Sequence, residues 1–227
     1  SQLGEPIKLR LLLVEAEHEL RKKQGKGMSF AKKNLSKCIA GLMRLPGIAN
    51  ENDMALPTWC EMFTKQRLLA LSVLVDAGYF AMEIGDLKTA SKCVTHGSTA
   101  SAADAVNVRA TCLHMFLQLK CDTQLYSQAA IAKRLKCINE LLLALSAAKS
   151  IGTPALIQEV VGAVWELSLP LLQPKLKASL KRAYTVCIDA MFSIHSHLSD
   201  IVTAMCIELT KILQAEGLLE IAAATIA

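Results

Sequence analysis

The sequence predicts an all-α protein in which antiparallel helical hairpins stack one after another along the chain. Three observations carry that prediction. The first is composition: 52% of the 227 residues are apolar, mean hydropathy is +0.35, and aromatic residues make up only 4%. Abundant Leu and Ala with few aromatics suits close helix packing better than a β-sandwich, and no convincing alternating run marks a strand. The second is the pattern within Leu68–Ala100. Leu68, Leu71, Val75, Gly78 and Met82 fall at helical steps of three and four, and Leu69, Val73, Ala77, Phe80 and Ile84 form a second apolar stripe beside them. A helix apolar on two faces has to be covered on two sides. Gly85 supplies a left-handed residue to end it, and Asp86 can accept the free N–H groups that open the next helix. Leu87 and Ala90 then face back onto Ala81 and Gly78, where small side chains let two backbones come close. The third observation is recurrence of this grammar. Met28 and Ala31 follow the GKG break as Leu87 and Ala90 follow Gly85, and Leu219 and Ala222 do the same after Gly217.

The remaining elements follow in order. Pro6 suits a first helical turn, from which LRLLLVEAEHELRKK runs to about Gln24. GKG at Gly25–Gly27 breaks it, and Met28–Leu45 is the return helix. Residues 46–56 form a looser link with several breakers and no periodicity. Pro57 begins the long helix that carries Trp59, Met62 and Phe63 into the Leu68 stripe. The return helix from Asp86 frays near Gly97. Ala103–Lys120 and Leu125–Lys149 are two further helices, separated by CDTQ. A break at 150–154 follows, with Thr153 as N-cap and Pro154 in the first turn. The next helix ends at Leu169, because the residue before Pro170 is pushed out of helical geometry. Pro174 starts a helix over Lys175–His195, and Ser199 caps one that reaches Ala215. The chain is thus read as one continuous helical-repeat segment over 1–227. Three instances of one grammar point to a tetratricopeptide-like α-solenoid, and the unequal spacing of Ala31, Ala90 and Ala222 excludes a tidy tandem array in favour of degenerate repeats.

Charge and cysteine usage narrow the function classes. The formal charge is +5, with basic residues gathered at Arg21–Lys23, Lys32–Lys33, Lys133–Lys136 and Lys175–Arg182. The aromatics that a single-strand nucleic-acid binder interleaves with its cations are missing, so no nucleic-acid partner is expected. Nor is a membrane: no stretch approaches the roughly 18 apolar residues of a span, and the greasiest, Val160–Leu172, is cut by Glu166 and Pro170. The eight cysteines sit at wide, irregular spacings with no CxxC, which reads as buried free thiols in a reducing compartment. The apolar run LLEIAAATIA leads us to expect a piece of a longer chain, its extra hydrophobic surface meeting neighbouring repeats.

Nothing points to catalysis. His195 and His197 are two apart and face different sides of a helix, so they do not chelate as an i, i+4 pair would. GKG lacks the flanking residues of a phosphate loop, no GxSxG is present, and no two aspartates come within a helical turn. A non-enzyme with no cofactor and no metal is the expectation. Basic Lys175, Lys177, Lys181 and Arg182 offer a helical strip for an acidic partner.

Leu156–Ala183 carries a resemblance. Trp165, the apolar tail Leu169–Pro170–Leu171–Leu172, Pro174 and the basic run Lys175–Arg182 resemble a block recurring in large, degenerate tetratricopeptide-type cilia- and flagella-associated proteins of the axonemal central apparatus. That resemblance implies a structural scaffold segment of a central-apparatus projection, positioning other axonemal subunits and so supporting ciliary motility. It implies a cytoplasmic, cytoskeletal location in the cilium or flagellum. Other central-apparatus proteins are then the partners, with the microtubule surface or a calmodulin-like protein as candidates for the basic strip. The alternative is a soluble tetratricopeptide- or HEAT-type adaptor that captures partner peptides outside cilia.

Overall fold

The computed structural model describes residues 4–22, 28–45, 48, 61–101, 104–120 and 126–226, and among them there is no strand. Ten α-helices follow in chain order among these residues: α1 (Gly4–Lys22), α2 (Met28–Leu42), α3 (Glu61–Glu83), α4 (Leu87–Gly97), α5 (Ala105–Lys120), α6 (Gln128–Ile151), α7 (Pro154–Ser168), α8 (Lys181–Ser193), α9 (Ser199–Ala215) and α10 (Leu219–Ile226). Short 3-10 turns at Leu169–Leu171 and Lys177–Leu180 join α7 to α8. The chain divides into two compact units, Ser1–Leu117 and Gln118–Ala227.

In the first unit α1 packs on α2 and α3 on α4, and α1 and α2 both also touch α3. The two-striped pattern of α3 explains why. Leu71 and Val75 on one stripe and Val73, Ala77 and Phe80 on the other are all buried, so the helix is covered on both sides as its sequence requires. Small residues set the spacing of its neighbours. A Cβ built on Gly78 would lie 2.9 Å from Cys93 Cβ on α4 and 2.5 Å from Leu113 Cδ2 on α5. One on Gly97 would lie 2.8 Å from Val75 Cγ2 and 3.0 Å from Ala110 Cβ. An ion-pair hub adds direction to this packing: Asp76 on α3 takes Arg109 of α5 at 2.8 Å and Arg10 of α1 at 3.7 Å.

The second unit pairs α6 with α7, α8 with α9, and α9 with α10. Ser127 sets the start of α6 by accepting the Ala130 N–H on its Oγ at 3.2 Å, which is why the helix opens at Gln128, later than its sequence predicts. Gly152 closes it with φ 75°, and Pro154 opens α7. Thr153 stands at the N-cap position of α7 but makes no capping hydrogen bond through its side chain.

Three expectations are corrected here. Leu169 keeps right-handed helical geometry (φ −50°, ψ −45°) despite preceding a proline. The chain tightens into a 3-10 turn, where Pro170 sits among the first positions and needs no N–H, and buried Leu171 anchors it. Pro174 does not start a helix either. The N–H groups of Leu176 and Lys177 both turn onto Gln173 O, and fully buried Leu180 ends the second 3-10 turn before α8 begins at Lys181. Lys175 and Lys177 therefore lie outside the α-helix that holds Lys181 and Arg182, and no single α-helical basic strip exists there. Ser199 is the first residue of α9, whose N-cap is Leu198; the Leu198 N–H instead finds Ser196 Oγ at 3.2 Å. The expectations for GKG, for the link at 46–56 apart from buried Ile48, for Pro57 and Trp59, and for CDTQ fall outside the described residues.

Candidate functional site

The recurring corner between helices is the feature that repeats, and its chemistry is that of a helix end. The last carbonyls of a helix have no intrahelical partner, and one residue with positive φ lets the next N–H groups fold back onto them. Gly85 (φ 81°) does this after α3: Asp86 N–H donates to Ala81 O at 2.8 Å and Gly85 N–H to Met82 O at 3.2 Å. Gly217 (φ 77°) repeats it after α9, with Leu218 N–H on Leu213 O at 2.9 Å and Gly217 N–H on Gln214 O at 3.0 Å. After α8 the same position is filled by His195 (φ 47°), with Ser196 N–H on Met191 O at 3.1 Å and His195 N–H on Phe192 O at 3.0 Å. The histidine is thus a corner residue, a role that sequence reading missed because it looked for glycine. Since a side chain in left-handed geometry is strained by about 1 kcal/mol, His195→Gly is expected to raise stability by up to that amount in thermal unfolding.

On the far side of the α3–α4 corner, Asp86 caps α4. Its carboxylate takes the Thr89 hydroxyl at 2.7 Å and the Thr89 N–H at 3.1 Å, which holds its pKa below the usual value. Leu87 is the half-buried first residue of α4, while Ala90 and Ala81 are fully buried at the close approach beside Gly78. At the α9–α10 corner only half of the grammar survives: Ala222 is buried, but Leu219 is 66% exposed.

The Trp165–Pro174 block builds a second, different arrangement. Half-buried Trp165 on α7 faces the Tyr184 ring of α8 at 6.0 Å between centroids. Tyr184 is wholly buried, and its hydroxyl lies 2.7 Å from Ser168 Oγ. Ser168 already donates its one proton to Trp165 O at 2.7 Å, so the phenol is the donor of the pair. Pro170 is half-buried in the turn behind this group, and Pro174 is exposed. No family model matches the chain, and no curated protein matches its sequence.

The basic clusters have unequal duties. Lys133 donates to Gln118 O at 2.6 Å, and buried Arg134 donates to Leu167 O at 3.1 Å, so both cations sit at the last turns of helices, where carbonyls point at them. Lys181 is paired with Glu216. Lys175 and Arg182 are exposed and Lys177 is half-buried. Between α8, α9 and α10 lies a groove of about 360 Å³, lined among others by Met191, Phe192, Val202, Cys206, Ile207 and Thr225. Among the described residues no group of three or more His, Cys, Asp or Glu side chains could hold a metal ion, and no helix is long and apolar enough to cross a membrane.

None of the six described cysteines forms a disulfide. Burial pushes Cys38 up to about 11 and Cys93 and Cys187 up to about 12, from an ordinary value of 9.0. Burial also raises Tyr184 from 10.0 to about 12. In that window the unfolded chain sheds protons that the folded chain retains, so each rise in pH favours unfolding. The stability these groups contribute is complete below pH 9.0 and is lost as pH climbs toward 11 and 12. Melting temperatures measured across that range should fall continuously; a flat profile would contradict the burial of these groups.

Proposed function

We propose that the chain is a structural scaffold segment, one whose stacked hairpins hold other proteins at set positions in a projection of the ciliary or flagellar central apparatus. The observation that carries the scaffold reading is on α1. Its inner face buries Leu13 and Ala16, yet Ile7, Leu11 and Val14 form a second apolar row at i, i+4 and i+7, each more than half exposed. Such a row on a helix that already has a core-facing side is a seat for another protein surface. The resemblance of Leu156–Ala183 to ciliary repeat proteins supports the location, and the role is positional rather than catalytic.

The test is to tag the protein in motile ciliated cells and isolate axonemes. Retention in the central apparatus, lost when Ile7, Leu11 and Val14 are all changed to Asp, is the expected result. A protein found outside the axoneme overturns the ciliary reading. The groove between α8, α9 and α10 favours a second reading, a tetratricopeptide- or HEAT-type adaptor for partner peptides. Tight capture of a short apolar peptide by the chain, abolished by Ile207→Glu, would favour the adaptor.

A further inference from the structure

The stretch that contains α2 is the longest in the chain without an acidic residue. From Leu20 to Asn50 the sequence holds eight Lys or Arg residues and no Asp or Glu. The structure shows where part of that charge goes. Around α2 the buried positions Ala31, Leu35, Cys38 and Leu42 form the core side. Phe30, Lys33 and Lys37 lie along the exposed side, and Arg44 continues their line just past the helix end. Lys33, Lys37 and Arg44 make no ion pair among the described residues, in contrast to Lys8, Arg10, Arg109, Lys181 and Lys211, which all have carboxylate partners. The positive charge of Lys32 adds to what holds the Asp86 carboxylate ionised, and Lys32 is left out of the line.

We propose that this face of α2 binds an acidic polypeptide segment lying along the helix, with Lys33, Lys37 and Arg44 as the charge contacts and Phe30 as the apolar one. The line from Phe30 to Arg44 spans about 20 Å at the helical rise, which an extended peptide of roughly six residues covers. Charge of one sign in a straight row calls for the opposite sign in a row, as an Asp/Glu-rich segment provides. A single-stranded nucleic acid would want several aromatics among the cations for base stacking, and this face has one. A membrane surface would want a row of large apolar side chains between the lysines, and this face has Phe30 alone. The inference goes beyond the scaffold reading and does not depend on it.

The experiment measures fluorescence anisotropy of a labelled, short Glu-rich peptide carrying one Leu, titrated with the whole chain. Binding is expected, with affinity falling as salt rises, because the contacts are exposed charges. Lys33→Glu, Lys37→Glu and Arg44→Glu combined should weaken it by about tenfold or more, the summed size of three surface charge contacts. Lys175→Glu with Arg182→Glu should leave it within about twofold. The neutral combination of Lys33→Gln, Lys37→Gln and Arg44→Gln, checked by circular dichroism to melt as the unaltered chain does, should also weaken binding, by a smaller factor. The proposal is overturned if the peptide does not bind, if the α2 variants bind it as well as the unaltered chain, or if single-stranded DNA or anionic vesicles bind more tightly than the peptide does.

Discussion

Gly78→Leu is expected to destabilise the protein by about 3 kcal/mol, the upper end of the range for overpacked cores. The new Cβ would lie 2.9 Å from Cys93 Cβ and 2.5 Å from Leu113 Cδ2, with Ala90 O at 3.7 Å. The Leu113 methyl can swing aside. Cys93 Cβ cannot, because it is fixed to the α4 backbone, so the two helices must separate and expose the stripe they share. Urea unfolding reads the loss directly. The matched control is Gly162→Ala on α7, where an added Cβ meets nothing within 4 Å. There the change removes only the conformational freedom of an unfolded glycine, and a gain of roughly 0.5–1 kcal/mol is expected. A Gly78→Leu protein as stable as its parent would mean that α3 and α4 do not approach as closely as described.

Tyr184→Ala should remove about 4 kcal/mol, as truncation of a wholly buried aromatic does. The hydrogen bond beneath that number can be separated from the packing. Tyr184→Phe deletes the donor and leaves Ser168 bonded to Trp165 O, a loss of about 1 kcal/mol. Ser168→Ala instead strands the buried phenol without its acceptor, at a cost of about 1–3 kcal/mol. The order expected in thermal or urea unfolding is therefore Tyr184→Ala worst, Ser168→Ala next and Tyr184→Phe mildest. If Tyr184→Phe proved worse than Ser168→Ala, the phenol would not be the donor.

Both predictions concern side chains whose importance was unequally legible. Gly78 was visible because a small residue stood in an otherwise bulky stripe, opposite Ala90. The Tyr184–Ser168 pair was invisible, since it joins residues sixteen apart across two 3-10 turns whose existence depends on how Leu171 and Leu180 are buried. The continuous helix expected over Lys175–Arg182 is absent for the same reason: packing turns Lys177–Leu180 into 3-10 geometry before α8 begins at Lys181. The uncompensated charge of α2 was present in the sequence as clusters, but only burial around the helix separates its core side from the line of Phe30, Lys33 and Lys37. His195 shows the converse. Its left-handed backbone has no local signature, because the corner is imposed by the two helices that meet there.

What the sequence determined by itself is the all-α class, the pairing of α1 with α2, α3 with α4 and α9 with α10, the corners at Gly85 and Gly217 and the break at Gly152, because helical periodicity and glycine's tolerance of positive φ act within a few residues of chain. What tertiary structure alone decided is the path from Pro170 to Lys181, the histidine corner, the Asp76 hub and which apolar and basic side chains remain in solvent. Those features depend on contacts between residues far apart in sequence, where burial and close packing outweigh the preferences of any single residue.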